Sequence, residues 1–197
     1  MKTLLLSVCV AAAAAAPAPA ASAPTYDEVL AVVARAEAGD HAARKGGIAL
    51  LRENPSAPLA GAALGRLLVL QSQRLPIQVL GYLDLQRGFI VLTQYINAHP
   101  QEPWPRLWRG ASALETGYSF WSAERARADL ETALPALQAE PAAQADVPRC
   151  LLLLGIVSKD VGDLDAAFMY WRQAAAADPD GPAGAEAAKL IMLFTGS

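Results

Sequence analysis

The side chains best suited to nucleophilic or metal chemistry in this sequence are few: His41, His99, Cys9 and Cys150. Neither histidine has a second His or a Cys at the short spacing that a zinc site requires. His99 directly precedes Pro100, a position where an imidazole complements the C-terminal end of a helix. Cys150 sits in an apolar, Leu-rich run and reads as a small buried hydrophobe rather than a reactive thiol. Asp178 and Asp180 beside Gly181 have the start of a calcium loop, but Pro182 and Ala183 occupy the ligand positions that should follow. The paired carboxylates Asp163 and Asp165, or Glu124 and Asp129, read as helix-start and surface charges. Arg125 to Asp129 and Arg127 to Glu131 are i, i+4 ion pairs on a solvated face. No Gly-rich phosphate loop follows a strand, because no strand-like alternation occurs. These residues support no enzyme, no cofactor and no metal.

A cluster of aromatic residues rises above this background: Trp104, Trp108, Tyr118, Phe120 and Trp121. The helix expected from Pro103 has a complete apolar stripe in Leu107, Gly110, Ala111 and Leu114. Trp104 and Trp108 stand four residues apart on the flank of that stripe. Two readings are open: the rings pack as core, as large aromatics usually do, or they are left over as an exposed hot spot. Under the second, Trp108→Ala would keep the fold and lose a partner.

Composition narrows the partner. The formal charge of −3 becomes about −4 once Lys2 is removed with a leader. With no dense Lys/Arg run, there is no electrostatic footprint for nucleic acid. Met1-Lys2, an apolar run over residues 4–16 and the small residues Ala18-Pro19-Ala20 have the layout of a secretory signal peptide cleaved after Ala20. That run is too short for a membrane span, which takes roughly 20 residues, and no other stretch approaches that length. Export leaves Cys150 alone and excludes an internal disulfide. The reading is a periplasmic or secreted protein, with residues 1–20 as leader, 21–24 as a short linker and 25–197 as one helical domain.

The elements that must position these side chains are helices. Thr25 and Glu28 form a capping box before the first apolar residues. Leu151, Leu154, Gly155 and Ser158 make an i, i+3, i+4, i+7 stripe. Gly162-Asp163 then stops and restarts the helix, and Ala167, Trp171 and Ala174 lead to Asp178-Pro179. Gly39-Asp40 occupies the same kind of turn earlier. Helix-ending prolines at 55, 100, 141 and 179 recur at intervals of 45, 41 and 38 residues. Such periodicity marks stacked supersecondary units. The units span about residues 25–55, 57–100, 103–141 and 148–179, and a capping helix over 183–195 carries Ala187, Leu190, Ile191 and Phe194 on one face. Gly65 to Gly88 spans 23 positions where Gly155 to Ala167 spans 12. Residues 72–82 therefore lengthen the helices or form a protruding turn. Residues 118–122 are a second insertion, and Pro135 is expected to kink or shorten its helix.

The order Leu154-Gly155, Ala167, Trp171, Ala174 and Pro179 resembles one tetratricopeptide repeat (TPR), a helical hairpin of about 34 residues. The resemblance extends over nearly all of residues 25–197, strongest in the last unit and weakest in the two middle ones. It implies an all-α fold: antiparallel hairpins stacked as a short right-handed solenoid with a C-terminal cap. It also implies an interaction scaffold or adaptor, whose groove is lined by the first helix of each hairpin and holds another protein or a peptide segment. Carried onto this chain, the groove-side flank is Val32 and Arg35, Arg66 and Val69, Trp104 and Trp108, and Leu152, Ile156 and Lys159. Leu152 and Ile156 stand where carboxylate-clamping family members have Lys and Asn, so an apolar or mildly acidic segment is the expected occupant. The alternative is a small apolar ligand, held in a pocket between the enlarged middle units.

Overall fold

The computed structural model describes residues 22–74 and 78–196. The expected leader lies outside the described residues, as do residues 75–77 within the first insertion. Nine α-helices follow one another and no strand occurs among the described residues. They are α1 (Tyr26–Glu37), α2 (His41–Glu53), α3 (Ala60–Ser72), α4 (Gln78–Ala98), α5 (Pro103–Glu115), α6 (Ala123–Ala139), α7 (Val147–Asp160), α8 (Leu164–Ala177) and α9 (Pro182–Thr195), with a 3-10 turn at Pro141–Asp146 between α6 and α7. Consecutive pairs fold back as hairpins. The first helices α1, α3, α5 and α7 lie side by side, and each second helix packs on the first helix of the next hairpin. This is an all-α helical-repeat stack, as the repeat spacing predicts.

Local chemistry explains the turns. Gly39 and Gly162 adopt φ of +94° and +85°, the left-handed region that favours glycine. The aspartate that follows each of them caps the next helix. Asp40 Oδ1 accepts from Ala43 N at 2.9 Å, and Asp163 Oδ1 accepts from Ala166 N at 3.1 Å. The capping box at α1 is complete, with Glu28 N donating to Thr25 Oγ1 and Thr25 N donating to Glu28 Oε2.

Packing explains the small residues. A Cβ on Gly155 would stand 2.2 Å from Trp171 Cδ1, so the indole occupies the space that the glycine leaves. Ala167 and Trp171 are both fully buried beside it. Phe194 of α9 stacks on Trp171 with ring centroids 5.7 Å apart, which ties the cap to the last repeat. In the second hairpin the close approach is between backbones: a Cβ on Gly88 would lie 2.7 Å from the Gly65 carbonyl oxygen. The middle unit therefore crosses glycine on glycine where the last unit crosses glycine on tryptophan.

Two expectations change, and one open alternative is decided. The first insertion lengthens a helix: α3 ends at Ser72, while α4 begins at Gln78 and runs for 21 residues. Pro135 does not shorten α6, which continues through it to Ala139. The missing proline N–H costs one internal bond, and the fully buried Ala133 and Leu137 hold the helix on either side. Asp129 is not on a solvated face. It is 3% exposed, because Arg109 of α5 reaches across to it. At the start of α9, Asp178 Oδ2 accepts from Ala183 N at 3.2 Å.

Candidate functional site

The concave side of the stack holds a cleft of about 270 Å³. Leu30, Ala34 and Glu37 form one wall, Trp104 and Trp108 the floor, and Ala145, Asp146 and Arg149 the other wall. The two tryptophans are 3% and 2% exposed, so the core reading replaces the hot-spot reading. Trp104 Nε1 donates to Asp146 Oδ2 at 2.9 Å, and its ring meets Tyr26 edge-on at 5.5 Å. The reason is the position of α5 in the middle of the stack, with α3, α4, α6 and α7 around it. Ten of its 13 residues are buried, which leaves no flank free for the rings to face solvent.

Beneath this cleft lies an ion cluster built by all four first helices. Arg66 of α3, 1% exposed, donates from Nε to Glu37 Oε1 at 2.7 Å, and from Nη1 to Ser112 Oγ at 3.0 Å. It also forms a two-pronged pair with Glu115, at 2.7 and 2.6 Å. Arg149 of α7 closes on Glu37 at 2.5 and 2.8 Å. Burial by itself would raise the Glu37 pKa, but Arg66 and Arg149 outweigh it and hold the carboxyl below its ordinary range. The two arginines and two glutamates balance in charge, which is how a guanidinium is tolerated inside. Arg66 thus serves the interior and offers nothing to a groove.

The other expected groove residues are dispersed. Val69 is fully buried, and a Cβ on Gly88 would lie 2.7 Å from its Cγ2. Arg35 turns to Asp40 across the first hairpin turn, at 2.5 Å. Leu152 and Ile156 are half-buried at the edge of the core, and Lys159 pairs with its neighbour Asp160. Of the eight, Trp104 and Trp108 alone line the cleft. Glu37, Asp146 and Arg149 join them there without any local signal in the sequence. Glu37 meets partners 29 and 112 residues away, a pairing that no local periodicity carries.

A second surface lies on α4 and the segment before α6. Val79, Leu83 and Ile90 recur at helical spacing and are 68%, 40% and 48% exposed, with Tyr82 at 56% beside them. Gln86, Phe89, Ile90, Thr93, Gln94, Phe120 and Trp121 enclose a hollow of about 320 Å³ next to this stripe. Phe120 stacks on Phe89 at 6.0 Å and meets Tyr82 at 5.0 Å. Trp121 is fixed from below by Arg109, whose guanidinium carbon is 3.9 Å from the ring centroid. Arg109 is itself held by a bidentate pair with Asp129, both bonds 2.7 Å, and by Thr93 Oγ1 at 3.0 Å. The aromatic cluster of the sequence is therefore split, with Trp104 and Trp108 facing the cleft and Phe120 and Trp121 facing α4. The signal for this surface was the apolar helical spacing of Val79, Leu83 and Ile90, which starts in the first insertion and runs on along α4.

No family model and no curated protein matches the sequence. The structure is similar to the crystal structure of a thermophilic TPR protein from Thermus thermophilus, with a TM-score of 0.62 over 83% of this chain and 79% of that one. This fold is TPR-like. At 19% identity the likeness carries the fold alone.

Within the TPR-like stack Cys150 and His99 pack against neighbouring groups. Cys150 is fully buried and free, with Sγ 3.5 Å from the Leu130 carbonyl oxygen. Burial pushes its thiol up to about 12, which leaves essentially no thiolate at neutral pH. His99 tilts against the Tyr95 ring at 4.4 Å. Among the described residues no cluster of His, Cys, Asp and Glu converges as a metal ion would require, and no helix is long and apolar enough to cross a membrane.

Proposed function

We propose that this chain is an exported, non-enzymatic protein–protein interaction scaffold of the cell envelope, which holds an amphipathic segment of its partner against the outer face of α4. The observation that carries this reading is the exposed stripe Val79, Tyr82, Leu83 and Ile90 beside the hollow floored by Phe89, Phe120 and Trp121. Contiguous apolar surface on a folded protein marks an interaction site. A partner helix would lay its apolar face on the stripe and seat one side chain in the hollow. The concave cleft is secondary: it is small, and the Glu37–Arg149 pair bridges it from α1 to α7. It has room for a side chain rather than a length of chain.

Ile90→Asp tests the reading. Ile90 is half exposed, so the variant should keep its melting temperature to within the equivalent of about 0.5 kcal/mol. Its affinity for a protein retained from envelope extract should fall by at least about 2 kcal/mol. Equal retention by wild type and variant would remove α4 as the docking face. A second reading, a small apolar ligand in the same hollow, is favoured by its place between the two enlarged units. It predicts saturable binding of an apolar fluorophore that is lost in Phe120→Asp, with protein retention unchanged. Export rests on the leader: the native protein should begin near Ala21, and an intact mass that includes Met1 would overturn it.

A further inference from the structure

At the edge between α2 and α3 lies a pocket of about 320 Å³ lined by His41, Arg44, Lys45, Gln71 and Arg74. Three permanent cations share it, and no carboxylate is in its wall. Arg44 is 4% exposed, while His41, Lys45 and Arg74 stand exposed around it. Every other buried or half-buried arginine of the described chain holds a carboxylate: Arg66, Arg106, Arg109, Arg127 and Arg149. Arg44 has no such partner among the described residues. Two carboxylates of the flanking elements are already engaged. Asp40 caps α2 and pairs with Arg35, and Asp84 of α4 accepts from Gln71 Nε2 at 2.8 Å.

A buried guanidinium without a counter-charge is costly, and truncation or pairing relieves it. Burial first, and the Arg74 charge second, lower the Arg44 pKa from its ordinary value. A guanidinium fork with two further cations around it matches the geometry of a tetrahedral oxyanion.

We propose that this pocket binds a phosphate-type oxyanion, with Arg44 as the buried anchor and Lys45 and Arg74 as the rim. The group could arrive as free inorganic phosphate or as the headgroup phosphate of an anionic lipid, and the chemistry of recognition is the same. The site lies on α2 and α3, apart from the α4 face, and does not depend on the partner proposed there.

The test is a titration of the mature chain with inorganic phosphate at constant ionic strength, read by calorimetry and by melting temperature. Wild type should bind one phosphate saturably and melt higher with it than with chloride. Arg44→Gln should bind at least about tenfold more weakly, and without phosphate it should be at least as stable as wild type, because an unpaired buried charge is gone. Lys45→Gln, at an exposed position, gives an independent reading with the anchor intact and should weaken binding by a smaller factor. Arg52→Gln, exposed at the far end of α2, should leave binding unchanged. Sedimentation with phosphatidylglycerol vesicles separates the sources: retention that phosphate competes away and Arg44→Gln abolishes assigns the headgroup, and phosphate binding without retention assigns the free anion. Equal phosphate effects in wild type, Arg44→Gln and Lys45→Gln, or no effect in any of them, would overturn the proposal.

Discussion

Trp108→Ala is expected to remove about 3–5 kcal/mol of folding stability, with a fall in melting temperature on the order of 10 °C. The indole is 2% exposed and belongs to the same core cluster as Leu67 and Leu107. Truncation therefore forfeits its transfer free energy and opens a cavity in the middle of the stack. The neighbours cannot easily collapse into it, because α5 is held from both sides by charge: Arg109 to Asp129 on one flank and Glu115 to Arg66 on the other. Urea unfolding monitored by helical circular dichroism checks this. Unchanged stability, with loss of a partner instead, would return Trp108 to the exposed hot-spot reading, one of the two that the sequence left open.

Arg66→Met is expected to cost a comparable amount, about 3–5 kcal/mol, through a different cause. Removing the guanidinium leaves Glu37, 13% exposed at its side chain, with Arg149 alone. Glu115, at 34%, can turn to water, so most of the penalty falls on Glu37. The quadruple variant Arg66→Met, Arg149→Met, Glu37→Gln, Glu115→Gln should recover most of the loss, since a buried charge set replaced as a whole is often neutral. The pH dependence has a definite sign. Glu37 is held below its ordinary value of 4.5, so its contribution is full above that pH. It is lost as the pH falls through the folded-state pKa and the carboxylate takes up a proton. Wild-type urea midpoints should therefore drop as the pH falls below the ordinary carboxylate value of 4.5, and that drop should be smaller in Arg66→Met. A midpoint for Arg66→Met equal to wild type at neutral pH would show that the cluster carries no stability.

The helices, their turns and their caps were legible because each is written within a few residues. Thr25 with Glu28, Gly39 with Asp40 and Gly162 with Asp163 satisfy their bonds inside one turn of chain. Gly155 and Ala167 announced a close crossing because only small residues fit there, and the structure has Trp171 against Gly155. The candidate site was much less legible. Helical spacing tells which side chains share a face, but not which neighbour will cover that face. Trp104 and Trp108 were on the right flank, yet whether that flank meets water depends on α1 and α7, more than 30 residues away in either direction. The same holds for charge. Arg66 and Arg44 look alike along the chain, and only the packing of four helices gives one of them two glutamates and leaves the other none. The sequence by itself determined an all-α hairpin stack, because turns, caps and small-residue crossings are short-range and steric. Which surfaces remain open and which charges remain unpaired was decided by the tertiary structure alone, because burial and long-range ion pairing depend on elements that meet only when the stack has closed.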